Sequence, residues 1–239
     1  MKHLQIYILL SMVTLLVSCK KETEKPKVIY ENTSKPVAAA NVISDKILLA
    51  DLPIQMEGTS VLLHPIGELS VSKNSEKFES SSYRQDQSFT VSNSSEYEIT
   101  GYLSNFKFQQ IGSDSLTVLT DKHVLIERVT YLKTFSDKSK KQLLVYVLED
   151  LDSNKDGKLD SGDIKNLYLS DIKGKNFTKL SSEFQELIDW NTIESQNRLY
   201  FRTIEDINKN GAFDKDDKMH YHFIDLLSKD WKVQEYNPT

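Results

Sequence analysis

The chain has 239 residues, with 30 basic and 35 acidic side chains and a formal net charge of −5 at pH 7. No stripe of Lys and Arg is present, which argues against nucleic acids and anionic lipid surfaces as partners. Because Cys19 is the single cysteine, the chain can form neither an intramolecular disulfide nor a thiolate zinc site.

The N-terminus has the features of a secretory signal. Lys2 provides a basic start, and residues 4–17 are mostly apolar but too few to span a bilayer. We therefore predict a signal peptide over residues 1–18. The small residue before Cys19 resembles the lipobox of bacterial lipoproteins, which implies that Cys19 is lipidated and becomes the first residue of the mature protein. An ordinary signal peptide with an incidental cysteine is the alternative.

This resemblance implies a lipid-anchored protein of the cell envelope, in the outer membrane of a Gram-negative bacterium, on its periplasmic or its surface face. Residues 19–45 are charged, broken by proline and low in complexity, and we predict a flexible tether there. The charges after the anchor could also be a surface-export address. Residues 46–239 are then expected to form one β-rich domain.

Strand signals dominate this domain. β-Branched and aromatic residues are concentrated in segments 124–132, 143–148, 199–204 and 219–224. A helix or helical turn is predicted near Ser181, where serine precedes an acidic and apolar run. Residues 70–96 contain ten serines, which predicts a long loop or a poorly ordered insertion.

Repeats organise the second half of the chain. Residues 143–150 correspond to 199–206, and residues 167–172 correspond to 221–226. An earlier copy, within residues 105–120, lacks the acidic loop that follows the first segment of the later copies. A repeat of this length with several short strands predicts stacked β modules of the propeller type.

The run 166–181 resembles the strand–turn–strand signature of TolB-like propeller blades. The resemblance covers about residues 100–239, and it implies an all-β fold of stacked antiparallel hairpin modules. Three or so modules do not close a ring as usual propellers do. We therefore expect a partial β-propeller with calcium loops in its strand connections.

Two acidic loops, 152–163 and 206–217, have side-chain oxygens at loop positions 1, 3, 5, 9 and 12 and glycine at position 6. Calcium takes six to eight oxygen ligands, and this spacing can supply them from one short segment. The first loop resembles the calcium loops of EF-hands and dockerins. The ligands that this resemblance implies are Asp152, Asn154, Asp156, the Lys158 carbonyl, Asp160 and Asp163 in the first loop, and Asp206, Asn208, Asn210, the Ala212 carbonyl, Asp214 and Asp217 in the second.

Four carboxylates in the first loop repel one another unless a cation lies among them. The alternative is an acidic turn, because Asn, Asp and Gly are also ordinary turn residues. The second loop has three carboxylates, which predicts a lower affinity. Strand-like segments flank both loops, and this argues against a helix-pivoting switch and favours calcium as a structural staple.

Other chemistry is sparse. His220 and His222 would point to the same face of a strand and could share a metal, but no third ligand is suggested. No nucleophile elbow or phosphate loop occurs, so we predict no catalytic residue and no enzyme. Several aromatic residues could line a carbohydrate-binding face or fill the core. These residues are Tyr168, Trp190, Tyr200, Tyr221 and Trp231.

We therefore predict a calcium-binding, lipid-anchored module that interacts with a protein or glycan the sequence does not identify. One alternative is a calcium-stabilised hydrolase or glycan-active enzyme. Another is a dockerin-like docking module, which would need helices at residues 164–169 and 218–223.

Overall fold

The computed structural model describes residues 26–30, 46–70 and 90–239. The predicted signal peptide, Cys19, most of the predicted tether and residues 71–89 of the predicted insertion lie outside the described residues. The strands are β1 Lys46–Ala50, β2 Ile54–Gln55, β3 Val61–Ser70, β4 Ser92–Ser94, β5 Glu98–Gln110, β6 Leu116–Val118, β7 Leu125–Tyr131, β8 Leu143–Glu149, β9 Lys165–Asp171, β10 Thr178–Lys179, β11 Gln185–Ile193, β12 Arg198–Glu205, β13 Lys218–Asp225 and β14 Gln234–Glu235.

The strands form two antiparallel sheets. The larger sheet runs in the order β1-β3-β5-β7-β8-β9-β10, with β2 on β3 and β4 and β6 on β5, and the smaller runs β11-β12-β13-β14. Neither strand order closes on itself within the described residues. The prediction of an all-β, antiparallel fold is confirmed, and the four segments predicted as strands correspond to β7, β8, β12 and β13.

Strand β8 lies in the middle of the larger sheet and is buried on both faces. Leu144, Tyr146 and Leu148 belong to one hydrophobic core, whereas Leu143 and Val145 belong to a second core on the opposite face. Successive side chains of a strand point to opposite faces. A strand between two cores is therefore apolar at nearly every position, which explains the unbroken apolar run of β8.

The second core joins the two sheets. The larger sheet contributes Leu167 and Leu169 of β9, and the smaller contributes Leu199 and Phe201 of β12. Full burial of such side chains stabilises the folded state by about 1.5–3 kcal/mol each. Because β8–β9 and β12–β13 meet in this core, the loops that connect each strand pair are parts of one packed structure.

The structure differs from the sequence-based expectation at two short elements. The helix predicted near Ser181 is wrong: the chain turns there, with Phe184 at a φ of +59°, and enters β11. The α-helix α1, Lys133–Ser139, instead follows β7 and buries Phe135. No helix in the described ranges is both long and apolar enough to cross a membrane.

Candidate metal centre

Each acidic loop connects two antiparallel strands. Residues 152–163 lie between β8 and β9, and residues 206–217 lie between β12 and β13. The segments that leave the loops are the strands β9 and β13. A dockerin-like module needs helices after its loops, but these segments are strands in this fold. The dockerin-like alternative is therefore wrong.

The first loop is held by hydrogen bonds from backbone N–H groups to its own acidic side chains. Asp152 accepts from Asp156 at 3.1 Å and from Gly157 at 2.9 Å. Asp163, at position 12, accepts from the N–H groups of Ser153 at 2.8 Å and Asp160 at 3.0 Å. The side chains at positions 1 and 12 therefore face the interior of the loop.

The second loop repeats this hydrogen-bond pattern. Asp206 accepts from the N–H groups of Asn210 at 3.2 Å and Gly211 at 2.7 Å. Asp217 accepts from the N–H groups of Ile207 at 3.2 Å and Asp214 at 2.9 Å. Positions 1 and 12 thus share two backbone donors each in the two loops, and Asp163 accepts a third, from the Asn154 N–H at 3.3 Å.

The backbone angles also correspond. At loop position 4, Lys155 has a φ of +56° and Lys209 a φ of +58°. At position 6, Gly157 and Gly211 have φ values of +85° and +83°. Side chains rarely tolerate such angles, so two sharp bends at matching positions give both loops the same path.

The donors fit a hard cation. Each loop offers five side chains with an oxygen and one backbone carbonyl at position 7, which reaches the six oxygens that calcium requires. A carboxylate has about four lone-pair sites. The two backbone N–H groups that Asp152 and Asp206 each accept therefore leave sites for a cation. Asp163 and Asp206 are 1% and 3% exposed, and a buried carboxylate loses its hydration unless protein groups or a cation replace it.

The side chains of each loop do not form a compact metal cluster. In the described part of the chain, no group of three or more His, Cys, Asp and Glu side chains is placed so that it could hold a metal ion. Amide and carbonyl oxygens stand beside the carboxylates in both loops. The calcium assignment thus stays a prediction, supported by the loop backbone and the donor chemistry.

Residues 26–30, which we call the strap, lie across both loops. The N–H groups of Lys27 and Val28 donate to the Gly211 carbonyl at 2.7 and 3.3 Å, and the N–H of Ile29 donates to the Ser153 carbonyl at 3.0 Å. The strap falls within the predicted tether, and its contacts were not anticipated. The one local signal was the apolar triplet 28–30 in an otherwise charged stretch.

The two strand histidines have partners other than a metal. His220 lies 2.8 Å from Glu205 and 2.9 Å from Glu235, and His222 lies 3.2 Å from the Thr203 hydroxyl. Burial is the main cause that lowers the pKa of His222. Both rings are therefore integrated in the sheet by packing and hydrogen bonds.

The aromatic residues singled out from the sequence do not share one surface. Tyr168 and Trp231 are buried in the two cores, and Trp190 packs against the second core. Tyr200 and Tyr221 instead contact Tyr236 of the C-terminal segment, at ring-centre distances of 5.6 and 6.0 Å. Two of the five thus belong to a small cluster that the C-terminal segment covers.

A charged cluster that the sequence did not indicate lies at the end of β8. Glu149 is fully buried, and neither of its carboxyl oxygens has a hydrogen-bond partner among the described residues. Burial, and then the Glu127 carboxylate, raise the pKa of Glu149 to about 9. The neighbouring Lys165 pairs with Glu127 at 2.7 Å, and both line a cavity of about 440 Å³. The raised pKa of Glu149 therefore favours the protonated form of this carboxyl at neutral pH.

Two comparisons with known proteins give no match. No protein-family model matches the sequence, and no curated protein matches it significantly.

Proposed function

We propose that the protein binds calcium at loops 152–163 and 206–217, and that calcium acts as a structural staple in a β-rich interaction module. The observation that carries this proposal is the agreement between the two loops. The two loops have different residues at half of their positions. They nevertheless share two backbone donors at each of positions 1 and 12 and positive φ values at positions 4 and 6. Both loops have the same backbone path and carry oxygen-bearing side chains at the same positions. This agreement favours two sites for the same ligand over two unrelated acidic turns.

The staple role follows from where the loops lie. Each loop closes a hairpin whose strands are already fixed by sheet pairing and by the second core. A cation bound by the carboxylates of one loop would fix the loop. It would thereby fix the ends of the two strands that the loop connects. Opening of a helix pair, which sensor EF-hands use, has no counterpart between these strands.

The proposal includes the anchor and the envelope location. The supporting observation is the sequence around Cys19, a lone cysteine after a small residue at the end of an apolar run. The mature protein would then be held at the outer membrane by acyl chains. Extracellular calcium modules work at dissociation constants of about 10⁻⁴–10⁻³ M, so weak loops suffice in that location.

We further propose a distant kinship of the hairpins with propeller blades. Strands β8, β9 and β10 follow one another around the first loop, and β12, β13 and β14 follow in the same order around the second. Both sets pair antiparallel with their sequence neighbours. The described strands of the two sheets form open arrays, so the proposal concerns single blades and not a ring.

Calorimetric titration of the full chain in detergent micelles with calcium tests the proposal. We expect two calcium ions per chain, with the tighter one in the first loop because it has four carboxylates. Asp156→Asn should weaken the tighter event and Asp214→Asn the other. Each amide oxygen can still accept the N–H that the aspartate accepts, from Lys158 and Asp216.

The matched control is Asp114→Asn, which changes an exposed aspartate outside both loops. It should leave both events unchanged. An unchanged stoichiometry and affinity in Asp156→Asn would remove the first loop from the proposal, and no calcium binding by the wild type would refute it entirely.

A further inference from the structure

The strap touches the second loop at its position 6. The Gly211 carbonyl accepts two strap N–H groups, and a Cβ built on Gly211 would lie 2.7 Å from both the Pro26 Cβ and the Val28 carbonyl oxygen. Real Cβ atoms are not found so close to other heavy atoms. The strap therefore occupies the space that only a glycine at this position leaves open.

The strap touches the first loop through Ser153, which is 2% exposed. The Ser153 hydroxyl donates to the Lys27 carbonyl at 2.7 Å and also lies 3.2 Å from Asp163 Oδ1. It accepts from the N–H of Ile164 at 3.0 Å. A hydroxyl has one proton to donate, so the strap and the loop's last carboxylate share one donor.

Side chains fix the strap further. Val28 is 2% exposed. The Lys27 ammonium pairs at 2.7 Å with Glu186 of β11, whose side chain is 11% exposed. Tyr30 packs on Phe184 at a ring-centre distance of 6.1 Å and lies beside the Asp206 carboxylate. The side chains of Lys27 and Tyr30 thus connect the strap to the second loop and to the start of the smaller sheet.

We propose that the strap is the third component of the metal centre and couples the two loops, so that ordering of either loop and docking of the strap stabilise each other. The effect of calcium on the strap rests on the proposed function. The mechanical coupling, by which we mean the contacts that join the strap to both loops without a cation, does not. Ser153 and Gly211 are positioning residues in this unit, because they connect the strap to Asp163 and to the second loop. If Asp163 bound a cation, its Oδ1 would compete less for the Ser153 proton, and the hydrogen bond from Ser153 to the Lys27 carbonyl of the strap would be strengthened.

Hydrogen–deuterium exchange on the full chain in detergent micelles tests the coupling. Exchange would be followed in peptides that cover the strap and each loop, first with excess chelator and then with millimolar calcium. Val28→Ala changes the strap and neither loop. With chelator, it should speed exchange in the strap and in both loops by about tenfold or more.

Val124→Ala is the matched control, since Val124 is also 2% exposed but lies in the first core. In this control, the exchange rate of the strap relative to that of the β-sheets should be the same as in the wild type. A second pair of variants compares the loops. Gly211→Ala should release the strap, whereas Gly157→Ala has nearly the same φ and nothing within 4 Å of the added Cβ, and should leave the strap protected.

The outcomes separate the two proposals. The coupling is overturned if Val28→Ala, with chelator, leaves exchange in both loops at the wild-type rate, or if Gly211→Ala leaves the strap as protected as Gly157→Ala does. Slower strap exchange in calcium supports its link to the cation. If calcium alters exchange nowhere while Val28→Ala frees both loops, the calcium function fails and the mechanical coupling stands.

Discussion

Asp152 and Asp206 occupy the first position of two loops in different sheets, and each accepts a hydrogen bond from the glycine five residues later, at 2.9 Å and 2.7 Å. Asp152 is half-buried and Asp206 is 3% exposed. The first loop instead buries its last carboxylate, Asp163. The strap lies against these buried parts of both loops. It thereby joins two loops that are far apart in sequence into one structural unit.

Replacing Cys19 by Ala should release the protein from membranes, because a single cysteine is the proposed site of the acyl chains. Fractionation and labelling with a fatty-acid analogue measure this. The seven Cα-to-Cα steps from Cys19 to Pro26 span at most about 25 Å when extended, so a docked strap would keep the loops near the membrane. Lipid labelling that persists in Cys19→Ala would contradict the anchor.

Glu149→Gln should stabilise the protein at pH 7 to 8 and have little effect near pH 4. Burial raises the pKa of Glu149 to about 9 from an ordinary value of 4.5, so the folded state holds a proton that the unfolded chain releases between these values. Stability therefore falls as pH rises from about 4.5 to about 9, by up to about 3 kcal/mol at pH 7. Glutamine does not titrate, so the variant does not lose stability in this way as the pH rises.

Urea unfolding at pH 4 and pH 8 measures the difference, with Glu183→Gln as the control at an exposed position. The change in stability between the two pH values should be larger for Glu149→Gln than for the control. A stabilisation by Glu149→Gln that is the same at pH 4 and pH 8 would show that the Glu149 carboxyl is not the titrating group.

Gly174→Ala should destabilise the hairpin of β9 and β10 more than a substitution at an unobstructed glycine. Gly174 has a φ of +73°, and a Cβ there would collide with the ring of Phe108, which is buried in the first core. Strain and overpacking together should cost about 2–4 kcal/mol. Gly112→Ala, at a φ of +85° with nothing within 4 Å, should cost only about 1–2 kcal/mol. Equal losses in urea unfolding would contradict the collision.

The sequence predicted the strands well because β-branched and aromatic residues concentrate in them, as in Val145 and Tyr146 of β8. It also predicted that the acidic segments 152–163 and 206–217 connect strands, whereas their calcium ligands stay a prediction. It did not predict which faces meet: Leu143 and Leu144 are neighbours in sequence but belong to different cores. That assignment depends on packing between strands distant in the chain.

Two local patterns were overruled by tertiary contacts. Ser181 precedes a run typical of a helix start, yet its hydroxyl donates to Asn166 at 2.9 Å and accepts from the Leu167 N–H at 3.1 Å, which fixes it beside β9. Val28 stands in a charged stretch typical of a solvated tether, yet it is buried beside the loops. A burial site formed by other parts of the chain leaves no periodic signal in the segment that fills it.

Thermal unfolding of the full chain in detergent micelles, with excess chelator and then with millimolar calcium, tests the central claim most directly. Calcium at about 100 times its dissociation constant adds roughly 2.7 kcal/mol per loop, which should raise Tm by about 5–10 °C or more. The rise should shrink in the double variant Asp156→Asn, Asp214→Asn, while the circular dichroism stays that of a β protein. An unchanged Tm in the wild type, or an equal rise in the double variant, would contradict calcium as the staple of these loops.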